Sequence, residues 1–193
     1  MVSMKKNNNL LNILILVCSI VGVLSLTMMF VPAIGYKTLA TNNVYSFSLW
    51  DFVMALIDPI SSEEIIIFNY MQTSLTSACA YAISIFSIIA FVLIIALVIC
   101  LVVANYGSIK ISFFTSIALL LNMIGLFVSV CVFTSFITNQ KGGITIDSIG
   151  YVMWGFILLT IFVVTIFTAL AIKYFYKGKN KWAVVSCVHA NVE

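Results

Sequence analysis

Two long apolar runs, joined by a very short turn, decide the fold class of this chain. Residues 78–137 read ACAYAISIFSIIAFVLIIALVICLVVANYGSIKISFFTSIALLLNMIGLFVSVCVFTSFI. Neither Ala78–Ala104 nor Ile111–Ile137 contains an Asp, Glu, Lys, Arg or His. Uncharged apolar runs of about 18 residues or more are typical of transmembrane helices. The segment therefore predicts a pair of antiparallel helices that cross a membrane.

Two further runs of the same kind lie on either side, at Leu10–Val31 and Ile149–Ile172. Of the 193 residues, 63% are hydrophobic and only 8% are charged, which excludes an ordinary soluble domain. Lipid offers the backbone no hydrogen-bond partners, so each run should be helical. The runs lack the strict alternation of a membrane barrel. We predict one all-α integral membrane domain over residues 1–193, built on a four-helix transmembrane bundle.

The placement of lysine predicts how the bundle is oriented. With four spans, seven lysines fall on one side of the membrane: Lys5, Lys6, Lys110, Lys173, Lys177, Lys179 and Lys181. Only Lys37 and Lys141 fall on the other side. Because lysine and arginine concentrate on the cytoplasmic side, we expect a multi-pass plasma-membrane protein with both termini, including the tail 173–193, in the cytoplasm. The first apolar run is longer than the core of a signal peptide, which favours an uncleaved anchor.

The one long loop, residues 33–77, together with the short loop 138–148, predicts a small extracellular cap. Asn42–Asn43 separates two arms, Tyr36–Thr41 and Val44–Ser48, which predicts a hairpin because Asn tolerates tight turns. Residues 144–146 of the second loop are a candidate third strand. A two-stranded hairpin is marginal in water, so we expect the cap to rest on the outer face of the bundle.

Two short helices are predicted within the cap. Ser48 and Asp51 resemble a capping box, and Pro59 ends the helix that follows. One face of this helix is predicted to be apolar, formed by Leu49, Phe52, Val53 and Leu56. Ser61 and Glu64 form a second capping box, and the helix that they begin has no break before the second span. We interpret the acidic residues of the cap, Asp51, Asp58, Glu63 and Glu64, as helix-capping and solvent-exposed side chains. The alternative interpretation is a cation-binding site.

No catalytic pattern occurs in the sequence. There is no phosphate-binding loop or zinc signature, no paired cysteines for thiol chemistry, and His189 stands beside Cys187 without an orienting group. The sequence therefore predicts a protein that is not an enzyme, with no cofactor, no metal and no nucleic-acid partner. Transporters usually keep a charge within the membrane, and these spans have none.

Small and polar residues within the spans are candidates for helix packing. They are Gly22 in the first span and Asn122, Gly125 and Ser129 in the third. Small residues let transmembrane helices approach closely, and polar side chains join them by hydrogen bonds. The alternative interpretation is that Asn122 lines a narrow pore.

The layout of four spans, a long first outer loop, a tight inner turn and a short second outer loop resembles the claudin and peripheral-myelin-protein group. Leu49–Trp50, followed by a short helix, is similar to part of that family's G-L-W-x-x-C-x-C motif, but Ser48 replaces the glycine and no cysteine follows. The resemblance implies that strands from both outer loops form one sheet on a left-handed four-helix bundle. It also implies a membrane scaffold with an adhesive or partner-binding cap.

We therefore expect a scaffold, adhesion-like protein or accessory subunit, whose cap binds another protein or a second copy while the spans bind the bilayer. Aromatic side chains are favoured at binding surfaces. The candidate partner-binding residues are Tyr45, Phe47, Trp50 and Phe52. The alternative function is a small channel or transporter subunit that acts as an oligomer.

Overall fold

The structure, a computed structural model, describes residues 2–37, 44–73, 76–103, 105–141 and 144–145, and, toward the C-terminus, 150, 154–155, 157 and 159–173. Its elements in chain order are α1 (Val2–Met28), β1 (Pro32–Lys37), β2 (Val44–Ser48), α2 (Leu49–Ile57), α3 (Ser62–Thr73), α4 (Ser77–Val103), α5 (Tyr106–Lys141), β3 (Ile144–Thr145) and α6 (Leu159–Lys173). Most of the described residues are helical, as the sequence predicts.

Within the described residues, three helices are long and apolar enough to cross a membrane: Asn9–Met28, Ser77–Val103 and Gly107–Phe136. These correspond to three of the four predicted spans. The fourth predicted span, Ile149–Ile172, lies partly outside the described residues, and its described part is the shorter apolar helix α6. The coarse prediction of a mainly helical membrane protein is confirmed.

Helices α4 and α5 form an antiparallel pair joined by a tight turn. Asn105 and Ser108 cap the start of α5 reciprocally, because each side-chain oxygen accepts from the other residue's backbone N–H, at 2.8 and 2.9 Å. Farther along the pair, Phe86 of α4 lies opposite Asn122 and Gly125 of α5. We call the end of the bundle at Asn105 the turn end, and the opposite end, at Ser77, the connector end.

The chain between α1 and α4 folds into a compact unit, the connector (residues 32–73). Its strands β1 and β2 pair antiparallel, and β3 from the chain after α5 pairs with the other edge of β1, which gives the sheet order β2-β1-β3. The prediction for β2 is confirmed at both ends. Strand β1 begins at Pro32 rather than Tyr36, and residues 38–41 of the predicted first arm lie outside the described residues.

Both predicted capping boxes of the connector are confirmed. Ser48 and Asp51 exchange hydrogen bonds at the start of α2, at 2.6 and 3.2 Å. The predicted apolar face of α2 is wrong at one position, because Ala55 is buried while Leu56 is 37% exposed. Helix α2 lies close to α4, where the Ser84 hydroxyl bonds the Phe52 carbonyl, and a close approach of backbones favours the smaller side chain.

Helix α3 does not continue into α4, contrary to the interpretation of the sequence. It ends at Thr73, and a turn at Thr76 precedes the start of α4. Two residues of α3, Tyr70 and Met71, belong to the buried core, and the Tyr70 ring packs against Phe133 of α5.

The connector packs beside part of the bundle rather than on its end. Trp50 at the start of α2 donates its backbone N–H to the Met29 carbonyl, one residue past α1, and stacks on Phe91 of α4. Phe91 is 14 residues past Ser77, which corresponds to about 21 Å along the helix. Helix α1 therefore stops well short of the connector end, and the connector fills the space beside α4 and α5 there. This differs from the predicted cap resting on top of the bundle.

Candidate functional site

Two of the four predicted partner-binding residues are part of the core. The side chains of Phe47 and Phe52 are 1% and 0% exposed. Their rings meet edge to face at 6.4 Å, and Phe52 in turn meets Phe133 of α5 at 5.3 Å. Aromatic pairs of this geometry contribute packing energy beyond the area that they bury. Phe47 and Phe52 therefore hold the connector to the bundle, and we remove them from the partner-binding surface.

Trp50 and Tyr45 are half-buried. The Trp50 ring lies between Phe30, which follows α1, and Phe91 of α4, with ring centroids 5.1 and 5.6 Å away. Trp50 thus joins α1, α2 and α4 at one point. Its main contacts are internal, which makes it a structural residue in this geometry rather than a free anchor for another protein.

The connector exposes a different apolar surface, at the turn between α2 and α3. Leu56, Ile57 and Ile60 are 37%, 68% and 74% exposed, and Asp58 between them is also exposed. We call residues 56–60 the tip. Contiguous exposed apolar residues mark interaction surfaces more often than single ones do. The sequence contained one signal for the tip. Pro59 ends α2, so no buried helix face continues there, and yet Ile57 and Ile60 are apolar and flank Asp58–Pro59.

The tip is held in a fixed shape by Glu64. Its carboxylate accepts the backbone N–H groups of Ile60 and Ser61, at 2.7 and 2.8 Å, while Glu64 donates its own N–H to the Ser61 hydroxyl at 3.1 Å. The backbone hydrogen bond from Ser61 is the main reason that the pKa of Glu64 lies below its ordinary value, against the opposing effect of burial. A pre-formed surface loses less conformational entropy on binding than a flexible one.

Three of the predicted helix-packing residues, Gly22, Asn122 and Gly125, lie close to another helix. The Asn122 amide donates to the Phe86 carbonyl at 2.9 Å, and a Cβ on Gly125 would lie 3.1 Å from the Phe86 ring. A Cβ on Gly22 of α1 would lie 2.9 Å from Val98 of α4. Ser129 bonds within its own helix, to the carbonyl of Gly125.

A small cavity lies among α1, α4, α5 and α6. The volume open to the centre of a water molecule is about 10 Å³, which is room for about one water. Its polar lining residues are Ser25, Ser116 and Thr160. Asn122 is not part of this lining, and its amide is engaged with α4.

The other candidate chemical groups do not form a site in the described part of the chain. Among those residues, no group of three or more His, Cys, Asp or Glu side chains is placed to hold a metal ion. Cys79 and Cys131, which the sequence places near the same end of the bundle, are free thiols. Cys187 and His189 lie outside the described residues.

These features define a helical protein with membrane-crossing helices, an accessory three-stranded sheet and one rigid apolar tip. No protein-family model, curated protein or solved structure matches the chain. The function therefore has to be argued from the geometry of the chain itself.

Proposed function

We propose that this chain is a non-enzymatic four-span protein of the plasma membrane that binds another protein, or a second copy of itself, through an extracellular connector. Its termini lie in the cytoplasm. The apolar helices support the membrane location. The excess of lysine at the turn end and in the tail supports the orientation, because positively charged residues concentrate on the cytoplasmic side.

The exposed tip is the observation that carries the binding function. Ile57 and Ile60 have most of their side-chain surface in contact with the surroundings and lie three residues apart, whereas other exposed apolar residues of the connector, such as Val44 and Ile65, are farther away along the chain. The hydrogen bonds of Glu64 fix the backbone that presents them. An apolar surface that is both exposed and rigid is costly unless another molecule covers it.

The resemblance to the claudin and peripheral-myelin-protein group adds support of a second kind. That resemblance implies one sheet built from two separate loops. In this chain β1 precedes α4 and β3 follows α5, and the two strands pair antiparallel. A sheet shared between loops holds the connector in a fixed position against the bundle, as a binding surface requires.

The proposal is tested by comparing the tip with an equally exposed apolar residue elsewhere. If the partner is a second copy, the double substitution Ile57→Ser and Ile60→Ser should abolish self-association in liposomes, measured by energy transfer between labelled copies. If the partner is another protein, the substitution should abolish crosslinking of position 57 to that protein in native membranes. The matched control is Val44→Ser on β2, where the side chain is 69% exposed. Loss of association in the control alone, or in neither variant, would contradict the proposal.

The alternative function is a small channel or transporter subunit that acts as an oligomer. The supporting observation is that hydroxyl side chains from three helices, Ser25, Ser116 and Thr160, meet at the cavity inside the bundle. Ion or solute flux through liposomes containing the purified protein tests this function. Flux that Thr160→Val abolishes, while the tip variant leaves it unchanged, would favour the channel over the binding protein.

A further inference from the structure

We propose that the side chains of Phe30 and Trp50 lie in the hydrocarbon of the outer leaflet, so that the edge of the connector beside α1 is partly sunk into the bilayer. The inference rests on the proposed membrane placement of the bundle. It identifies lipid as the partner of the connector surface around Phe30, whereas the tip is left for a protein partner.

The turn end of the bundle sets the inner limit of the hydrocarbon. The α4–α5 turn carries Asn105, and the exposed Lys110 and Lys173 lie near it. Because Asn122 lies opposite Phe86, Lys110, twelve residues earlier in an antiparallel helix, is level with about Val98. Lys173 lies two residues past Ala171, which packs in the same cluster as Leu101 of α4. A hydrated turn and two lysines fit the membrane–water boundary, where long basic side chains reach water.

The outer limit follows from the thickness of the bilayer. A hydrocarbon core of about 30 Å corresponds to about 20 helical residues. Counting outward along α4 from Val103, this limit falls near Ile83 and Ser84. Phe91 is then about 12 Å below the outer boundary. Since the Trp50 ring packs at a tilt against the rings of Phe91 and Phe30, the Trp50 and Phe30 rings lie at the depth of the acyl chains.

The opposite placement, with the bilayer centred on the apolar window Asn9–Met28 of α1, is less favourable. Gly22 faces Val98, so Lys110 would be about 5 Å from the middle of that window and the α4–α5 turn would be within the hydrocarbon. Charged side chains and turn backbone are both costly there. Our placement instead puts the inner boundary near Val17 of α1 and leaves the residues before it, including Leu10 and Ile13, on the cytoplasmic side of that boundary.

The local structure is suited to lipid. Three backbone donors at the start of α2 have acceptors within the protein: the Asp51 carboxylate accepts from Ser48 N–H, the Ser48 hydroxyl from Asp51 N–H, and the Met29 carbonyl from Trp50 N–H. The carbonyl of Phe52 accepts a hydrogen bond from Ser84 Oγ at 2.7 Å, at the level of the outer boundary. Phe30 is 52% exposed, and in this placement acyl chains cover the exposed part of its ring.

The test measures depth with a fluorescent probe. The full-length chain, with its native cysteines replaced by alanine, is reconstituted in phosphatidylcholine liposomes with a nitrobenzoxadiazole label at Phe30→Cys, Val92→Cys or Gln72→Cys. Val92 is exposed on α4 one position past Phe91, and Gln72 is an exposed polar residue of α3. We expect brominated acyl chains to quench positions 30 and 92 to a similar extent, and aqueous iodide to quench position 72. Trp50 emission, in a variant with Trp154→Phe and Trp182→Phe, should also be quenched by brominated lipid, which checks the same depth with Phe30 in place.

The outcomes separate the inference from the function on which it rests. Iodide quenching at position 30 together with lipid quenching at position 92 would overturn the sunken connector and leave the membrane bundle intact. A label at position 30 that neither quencher reaches would mean that protein, such as a second copy, covers Phe30, and would also overturn the inference. Absence of lipid quenching at position 92 would contradict the membrane placement itself.

Discussion

Asn122 of α5 donates a hydrogen bond from its side-chain amide to the backbone carbonyl of Phe86 on α4, at 2.9 Å. That carbonyl lies within a helix, so the bond is an additional one between two spans. Less than one turn away, Gly125 leaves room for the Phe86 ring, because a Cβ there would lie 3.1 Å from Cζ. The hydrogen bond of Asn122 and the close packing at Gly125 therefore hold α4 and α5 together at the same point, Phe86.

Replacing Asn122 by Leu should weaken the α4–α5 pair. The substitution removes an interhelical hydrogen bond, which contributes about 0.6–2 kcal/mol in membrane proteins. We expect the free energy of unfolding in detergent micelles to fall by that amount. Ser129→Ala is the control, because the Ser129 hydroxyl bonds only within its own helix and its loss should change little. Equal effects of the two variants would show that the Asn122 bond does not contribute.

A larger side chain at Gly22 should separate α1 from α4. The first added carbon would already lie 2.9 Å from Val98 Cγ2, so Gly22→Val should destabilise the protein by about 1–3 kcal/mol through overpacking. In contrast, no described atom lies within 4 Å of a Cβ on Gly155, and Gly155→Val should be close to neutral. Thermal unfolding in micelles compares the two variants. A larger loss for Gly155→Val would refute the close contact at Gly22.

The sequence predicts the local features of this fold well. Ser48 with Asp51, and Ser61 with Glu64, are spaced so that each side chain reaches the other residue's backbone N–H, and both boxes form. Such contacts span three residues and depend little on the rest of the chain. Strand β2 was likewise readable from its alternating residues.

How the helices and strands pack against each other could not be predicted from the sequence in the same way. The level at which α1 ends beside α4 depends on packing between Gly22 and Val98, and uniform apolar sequences fit many such registers. For the same reason the sequence left open which aromatic side chains face inward. Phe47 and Phe52 were predicted to contact a partner, but each finds an aromatic neighbour in the interior.

The Glu64 cap should make the stability of the connector depend on pH. Because the folded-state pKa of Glu64 is lowered, its contribution is complete above the ordinary pKa of a glutamate, about 4.3. The contribution is lost as the pH falls through the lowered pKa. Hydrogen exchange of α3, measured from pH 7 to pH 3, should show this loss in the wild type. Glu64→Gln should remove this part of the pH dependence, and an unchanged profile would show that another group titrates.

Removing the hydroxyl at Ser61 should loosen the start of α3. Ser61 Oγ accepts from Glu64 N–H at 3.1 Å, and loss of an N-terminal cap costs about 1 kcal/mol. We expect Ser61→Ala to speed hydrogen exchange at residues 65–68 while leaving α4 unchanged. Ser62→Ala is the neighbouring control, because the Ser62 hydroxyl bonds the Glu63 side chain at an exposed site. Unaltered exchange at residues 65–68 would contradict the role of this cap.

Thiol labelling should show which side of the membrane each end of the bundle faces. In a background without native cysteines, Asn139→Cys should react with an impermeant thiol reagent added outside intact cells. Gly178→Cys, in the lysine-rich tail, should react only after the membrane is permeabilised. The expectation follows from the four-span arrangement, which puts seven lysines on the side of the tail and two on the other, and the reverse pattern would invert the proposed orientation.

Two buried serines of α4 give the sharpest test of how the connector is attached. Ser84 and Ser87 are both 0% exposed, and they differ by one turn. The Ser84 hydroxyl donates to the Phe52 carbonyl of α2 at 2.7 Å, whereas no described residue offers a hydrogen-bond partner to Ser87 Oγ.

Ser84→Ala should therefore destabilise the protein by about 0.5–1.5 kcal/mol, because the hydrogen bond between α4 and α2 is lost. Ser87→Ala removes a buried hydroxyl that has no described partner, so it should be neutral or stabilising. The two variants are compared by unfolding in micelles and by hydrogen exchange of α2. Faster exchange of α2 in Ser84→Ala alone would identify this bond as an attachment point. Equal destabilisation by both variants would mean that Ser87 has a hydrogen-bond partner, such as a buried water. The Ser84–Phe52 bond would then contribute no more to stability than any other buried hydroxyl on this face of α4.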